Sequence, residues 1–220
     1  FIFLSKSECN QAKVSYKKFK EKFIFIPFSI DTGFWQRDNE IVNEKSKKII
    51  FIGNDGRREY DLVLEIAKSL PEYEFSLITS NIKRNEIKSK NVTLYEGQWN
   101  KQLLSDGELR DLYLEAKLSI IPIKNSYQPS GQSVALQSMS MGIPVMITDT
   151  VGFWDKDLFK NNENIFFVSK NNLNTWIEEI RRVLNDKELI NYVSNKSKNI
   201  TSEIYNSENF YKSIKNVIIN

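Results

Sequence analysis

The sequence predicts an α/β fold built on a doubly wound parallel sheet, and three observations carry that reading. Short apolar runs recur along the chain as KKIIFIG (47–53), EFSLITS (74–80), NVTLYEG (91–97), LSIIPI (118–123), PVMITD (144–149) and IFFVS (165–169). Several are apolar on consecutive positions, as strands buried on both faces must be. Between them lie segments of helical period, among them YDLVLEIAKSL (60–70) and ELRDLYLEAK (108–117), with apolar residues three and four apart and charges on the other face. Strand and helix therefore alternate, which is the signature of right-handed βαβ units.

The first residues read differently. FIFL (1–4) is a strand, SECNQAKVSYKKFK (7–20) a helix and FIFIPFSI (23–30) a second strand, before the polar stretch DTGFWQRDNEIVNEKSKK (31–48). That stretch reads as a linker. The chain begins on Phe1 within a strand, so it is expected to be part of a longer protein. From Leu173 onward the pattern is all helical, LNTWIEEIRRVLND (173–186) and then a polar-faced run from Lys187 to the end, with Asn and Asp at the breaks. The expected organisation is residues 1–22, a segment of another domain; 23–46, a hinge or linker; 47–185, the doubly wound domain; and 186–220, C-terminal helices.

Composition excludes several chemistries. With 220 residues, 40% of them hydrophobic, the chain holds enough apolar material for one good core. It has no histidine and one cysteine, Cys9, so no disulfide framework, no common zinc constellation and no Ser-His or Cys-His nucleophilic pair can be built from it. The 31 basic and 28 acidic residues give a net charge of +3, too mild to argue for nucleic acid. No apolar run approaches the roughly 18–20 residues that span a bilayer, and the N-terminus lacks the order of a signal peptide. A cytoplasmic protein is expected. Five lysines between Lys13 and Lys22 read first as a solvated helix face, the alternative being contact with a partner or with acidic lipid at the inner face of a membrane.

In a doubly wound sheet, ligands sit beyond the carboxyl ends of the strands, where loops lead into helix N-termini. PSGQSV (129–134) occupies that position after the buried LSIIPI. Free N–H groups and the positive dipole end of a helix starting there make an anion site, with phosphate the natural occupant. Gly131 lets an anion approach the backbone, and Ser130 or Ser133 is suited to cap the helix or to donate to a phosphate oxygen. The bare alternative is a tight Ser-Gly cap with no ligand. A second loop points to the same tip: in NDGRREYD (54–61), Arg57 and Arg58 precede a helix and can clamp a diphosphate through forked donors. The alternative for the pair is a surface salt bridge to Glu59 or Asp61. Neither a Walker A pattern nor a G-x-G-x-x-G is present.

The order of IIFIGNDGRREYDLVLEIAKSL, NVTLYEG, ELRDLYLEAKLSIIPI, PSGQSVALQSMSMGIPVMITD and VGFW resembles the C-terminal, donor-binding half of glycosyltransferase family 4 (group 1), retaining enzymes of the two-domain, Rossmann-like GT-B fold. The resemblance runs from about Phe23 to the end, and IPFSIDTGFW is similar to the family's interdomain hinge. The chain departs from the family at two places. Asn54 stands where the family has the first of two basic residues, with Arg58-Glu59 in place of Lys-Gly and Arg57 beside them. Of the family's two spaced glutamates, the second aligns with Gln137 and the first, eight residues earlier, with Pro129.

The resemblance implies transfer of a sugar from a nucleoside diphosphate sugar to a glycan or lipid-linked acceptor with retention, in bacterial-type surface polysaccharide or lipopolysaccharide synthesis, with no cofactor and no obligatory metal. Together with the charge argument it implies a leaving-group site formed by Arg57, Arg58, Ser130, Gly131, Gln132, Ser133 and Val134. It puts Gln137 near the ribose and the loop carrying Tyr95, Gly97 and Gln98 beside the base. Acceptor binding and the remaining catalytic groups would belong to a missing N-terminal domain. Two other classes stay open: a GT-B sugar-nucleotide epimerase, and a non-catalytic GT-B half serving as a nucleotide-binding or assembly module.

Overall fold

The computed structural model describes residues 1–37, 46–96 and 104–219. Its centre is a six-stranded parallel sheet of β3 (Lys48–Ile52), β4 (Glu74–Ile78), β5 (Val92–Tyr95), β6 (Ala116–Ile121), β7 (Val145–Thr148) and β8 (Phe166–Val168). The spatial order is β5-β4-β3-β6-β7-β8, with every neighbouring pair parallel. The order reverses between β3 and β6, the mark of a doubly wound sheet. The six apolar runs of the sequence are these six strands.

Period two divides each strand between two cores. Ile49, Phe51, Leu77, Leu118, Ile120, Met146, Phe166 and Val168 face one side, with α2 (Tyr60–Ser69) and α5 (Leu173–Asn185). Ile50, Ile78, Ile121, Val145, Ile147 and Ile165 face the other, with α3 (Asp106–Glu115) and α4 (Gln132–Ser140). Both faces are therefore covered, which is why these strands read as continuous apolar runs. α6 (Lys187–Ile204) packs on α5 and α4, its Ile190 and Val193 joining the first core and its Ile200 and Ile204 lying against the second. α7 (Ser207–Ile219) follows after Tyr205, which is fully buried, and Asn206, whose side chain accepts from the N–H of Asn209.

The first strands, β1 (Ile2–Phe3) and β2 (Ile24–Phe25), form a separate two-stranded parallel sheet around α1 (Lys6–Ser15). The helix expected over 7–20 stops at Ser15, and a 3₁₀ helix takes Lys17–Lys22. Lys17, Lys18, Lys20 and Lys22 crowd this turn against one acid, Glu21, so little i,i+4 ion pairing supports its continuation as α-helix. This unit is joined to the rest of the chain: the N–H of Lys6 donates to the Trp154 carbonyl at 2.8 Å and the Ser7 hydroxyl to that of Phe153 at 2.6 Å.

The stretch read as a linker is also partly anchored. Ile30 donates to the Tyr205 carbonyl at 3.0 Å, Asp31 accepts from the N–H groups of Gly33 and Phe34, and Trp35 is buried edge-on against Tyr113. Arg37 reaches the Leu114 carbonyl at 3.1 Å. The polar composition concealed these contacts because a few apolar and capping residues make them. Residues 38–45 of that stretch lie outside the described residues. Among the described residues no helix is long and apolar enough to cross a membrane.

Candidate functional site: two loops at the switch of the sheet

The carboxyl ends of β3 and β6 lie side by side, and their loops depart to α2 on one face and α4 on the other. This divergence opens the crevice in which doubly wound sheets bind ligands. The backbone joins the two loops below it. Glu59 donates to the Pro122 carbonyl at 3.0 Å, Lys124 donates to the Arg57 carbonyl at 2.8 Å, and Arg58 faces Ile123 in an antiparallel bridge.

On the β6 side, α4 begins on Gly131, whose φ of 80° and ψ of 2° lie in the left-handed region. A β-carbon there would stand 2.7 Å from Ile121 Cγ2, so both conformation and space require glycine. No side chain caps this helix. Ser130 and Ser133, read from sequence as candidate caps, do not serve as such: Ser130 bonds to the Arg58 side of the crevice, and Ser133 is exposed. The first intrahelical bond runs from Ala135 to the Gly131 carbonyl at 2.8 Å, so the N–H groups of Gln132, Ser133 and Val134 have no acceptor within the helix. The Gln132 amide turns away to the Leu4 carbonyl at 2.8 Å, leaving only its backbone at the site.

The two arginines have different surroundings. Arg57 is half-buried and its guanidinium donates to Ser126 Oγ and to Gln128 Oε1, each at 2.6 Å, which ties the loop after β3 to the segment leading into α4. Arg58 is 3% exposed. Its Nη1 donates to Asp55 Oδ2 at 2.9 Å and to Ser130 Oγ, and Ser130 Oγ donates to the same Asp55 oxygen at 3.0 Å. Arg58 therefore pairs with Asp55, not with Glu59 or Asp61. Burial pulls its guanidinium below the usual value, with Asp55 acting in the opposite direction. Gly53 makes room for its stem, since a β-carbon there would meet Arg58 Cγ at 2.8 Å.

Two asparagines hold the surrounding loops. Asn54, where the sequence suggested a lost cation, accepts from the Ser80 N–H at 2.7 Å and from the Thr79 and Ser80 hydroxyls at 3.1 Å, linking the loops after β3 and β4. Asn171 donates to Glu59 Oε1 and the Ile123 carbonyl at 3.2 Å, and accepts from Thr148 Oγ1 at 3.1 Å and the indole N–H of Trp176 at 2.9 Å. Glu59 is thus engaged in holding the crevice floor.

Gln137 is half-buried one helical turn beyond Ser133, on the same side of α4. Its Oε1 accepts from the Tyr113 hydroxyl at 3.4 Å. Tyr95 ends β5 and is half-buried; β4 stands between it and β3, about 10 Å across at ordinary strand spacing. Gly97 and Gln98 lie outside the described residues. Sequence reasoning missed Asp55, Ser126, Gln128 and Asn171. Of these only Asp55 left a trace, the Asp-Gly turn of NDGRRE. Among the described residues no group of three or more His, Cys, Asp or Glu side chains is placed to hold a metal ion.

The doubly wound sheet, its switch-point crevice and the extra C-terminal helices define a Rossmann-like half of a GT-B fold. Residues 35–200 match the family described as Glycosyl transferases group 1, and the chain belongs to that family. Among solved structures it is similar to HepE from Anabaena in complex with UDP, with a TM-score of 0.78 at 10% identity over 99% of this chain and 62% of that one. It is also similar to WaaG, a glycosyltransferase involved in lipopolysaccharide biosynthesis, with a TM-score of 0.73 at 16% identity over 96% and 60%. The C-terminal domain of the group 1 protein LpcC from Francisella tularensis aligns with a TM-score of 0.62 at 14% identity, covering 81% of this chain and 100% of that domain. The chain thus spans about three fifths of the length of the first two. Among curated proteins, none matches in sequence.

Proposed function

We propose that this chain is the donor-binding part of a retaining glycosyltransferase of family 4, taking a hexose from a nucleoside diphosphate sugar. The observation that carries the reading is the uncapped start of α4 at Gly131, opposite the arginine-bearing loop at the switch of the sheet. As the glycosidic bond breaks, the diphosphate gains negative charge. Backbone N–H groups of Gln132, Ser133 and Val134 aimed at it would stabilise the transition state more than the ground state. Arg57 supplies the accessible cation, its donors already gathered by Ser126 and Gln128. In this reading the diphosphate's charge is met by these groups without an obligatory metal.

The ribose then lies along α4 toward Gln137, one turn below Ser133, and the base toward the end of β5 near Tyr95. A glycan or lipid-linked acceptor and the pathway of bacterial-type surface polysaccharide or lipopolysaccharide synthesis belong to the same proposal, as does a cytoplasmic location at the membrane's inner face. The likeness to WaaG supports the pathway. Residues 1–22 are proposed to continue an acceptor-binding domain, with 23–46 as the hinge.

Calorimetric titration with UDP, GDP and ADP and with the matching nucleosides tests the site. The reading expects binding that depends on the diphosphate, and Arg57→Ala should weaken it about tenfold. Equal affinity for a nucleoside and its diphosphate would refute it and leave the non-catalytic module.

A further inference from the structure

Between Arg58 and the crevice stands a carboxylate. The Asp55 side chain is 47% exposed while that of Arg58 is 3% exposed, so the acid covers the guanidinium from the solvent side. One Asp55 oxygen, Oδ2, takes donors from both loops, Arg58 Nη1 at 2.9 Å and Ser130 Oγ at 3.0 Å. The other, Oδ1, accepts from the N–H of Arg57 at 2.8 Å and holds the loop's turn. The guanidinium also lies against the start of α4, its terminal nitrogens 3.7 Å from where a β-carbon on Gly131 would be. Two donors on two loops thus converge on a single oxyanion beside an uncapped helix N-terminus.

We infer that the Asp55 carboxylate is a built-in stand-in for the donor phosphate, occupying the donors of Arg58 and Ser130 in the free protein and giving them up when a nucleoside diphosphate enters. The inference rests on the reading of this crevice as the diphosphate site. A carboxylate and a phosphate present similar oxygens to a guanidinium, so one can replace the other without leaving the buried cation unpaired. The exchange has two consequences. An incoming anion must carry enough charge to displace Asp55, which favours a diphosphate over a singly charged ligand. The displaced carboxylate then competes for the same donors after transfer, which hastens release of the nucleoside diphosphate.

Asp55→Asn separates this role from a purely structural one, because the amide oxygen can still accept from the Arg57 N–H while the competing charge is gone. Melting of the ligand-free protein and calorimetric binding of UDP, GDP, ADP and inorganic pyrophosphate are measured for both proteins. The expected result is a lower melting temperature for the free variant, since Arg58 loses its counter-charge, together with about 3- to 10-fold tighter binding of the diphosphate that the native protein binds best. Equal or weaker binding by the variant, while the native protein binds, would overturn the stand-in role and leave the diphosphate site intact. Binding of none of the four probes by either protein would refute the diphosphate reading itself and the inference with it. Should the variant fail to fold, a crystal structure of the native protein with the bound diphosphate decides: Asp55 Oδ2 should have left Arg58 Nη1, and finding it in place beside the ligand would overturn the role.

Discussion

The side chain of Arg58 runs through the space that a β-carbon on Gly53 would fill, with Cγ 2.8 Å and Cδ 3.0 Å from that position. A glycine at the end of β3 is thus the condition for a buried arginine five residues later. Gly53→Ala should cost about 1–3 kcal/mol through overpacking. Gly56, three residues on, has nothing within 4 Å of its own β-carbon position and no positive φ, so Gly56→Ala should leave the melting temperature nearly unchanged. Thermal unfolding of the two variants side by side checks the pair; equal losses would mean that Arg58 moves aside freely.

Asn171 joins four groups beneath the crevice, Glu59, Ile123, Thr148 and Trp176. Replacing it with Ala removes the acceptor for the Trp176 indole N–H, on a side chain with no exposed surface, and the donor to the Ile123 carbonyl. Unsatisfied groups of this kind cost about 2–3 kcal/mol together, which for a chain of this size lowers the melting temperature by roughly 4–12 °C. Hydrogen exchange at the Ile123 amide should quicken as well, because Thr148, which accepts from that N–H at 3.0 Å, loses its own acceptor.

The Gln137 side chain separates a ribose contact from a packing role. If it holds the ribose, Gln137→Ala should weaken binding of the ribonucleotide about 3- to 10-fold, and weaken its 2′-deoxy and 3′-deoxy analogues less, since only the intact sugar has the full contact to lose. Tyr113→Phe, which removes only the hydroxyl that donates to Gln137 at 3.4 Å, should leave that selectivity unchanged. Identical losses for all three ligands on Gln137→Ala would move the ribose elsewhere.

A pH dependence follows from the capping box at the start of α3. The N–H and hydroxyl of Ser105 both donate to the Glu108 carboxylate, at 2.7 Å and 2.8 Å, and these bonds hold its pKa below the ordinary 4.5. A depressed folded-state pKa means that the charged box stabilises the protein fully above the unfolded value and loses that effect as pH falls through the folded one. Glu108→Gln should therefore melt lower than the native protein at pH 7, with the gap closing as pH drops below 4.5. A gap constant between pH 7 and the acid end would remove the charge from the explanation.

The periodicity of apolar residues determined the sheet, because a strand covered on both faces must be apolar on successive positions and nothing distant changes that requirement. All six runs became strands, and the Ser-Gly turn at 130–131 became a helix start, since a left-handed residue there needs glycine whatever surrounds it. The break between α5 and α6 was also legible from a local signal, Asp186, whose side chain caps the start of α6 by accepting from the N–H of Leu189.

Which face of each arginine meets the crevice was decided only by tertiary structure. Arg58 and Ser130 are 72 residues apart and Asp55 and Ser130 are 75 apart, so their meeting depends on the β3–β6 pairing and not on any local pattern. Two adjacent arginines look alike in sequence. The antiparallel bridge between Arg58 and Ile123 turns one inward, beneath Asp55, and leaves the other reaching across to Ser126 and Gln128. The anchoring of Trp35 and Gln132 escaped notice for the same reason: its partners are Tyr113 for Trp35 and the Leu4 carbonyl for Gln132, brought near by the stacking of whole elements. Local propensity sets where a strand or a helix starts, whereas the partner of a buried polar group is set by which elements share a boundary, and that is a property of the assembled layers.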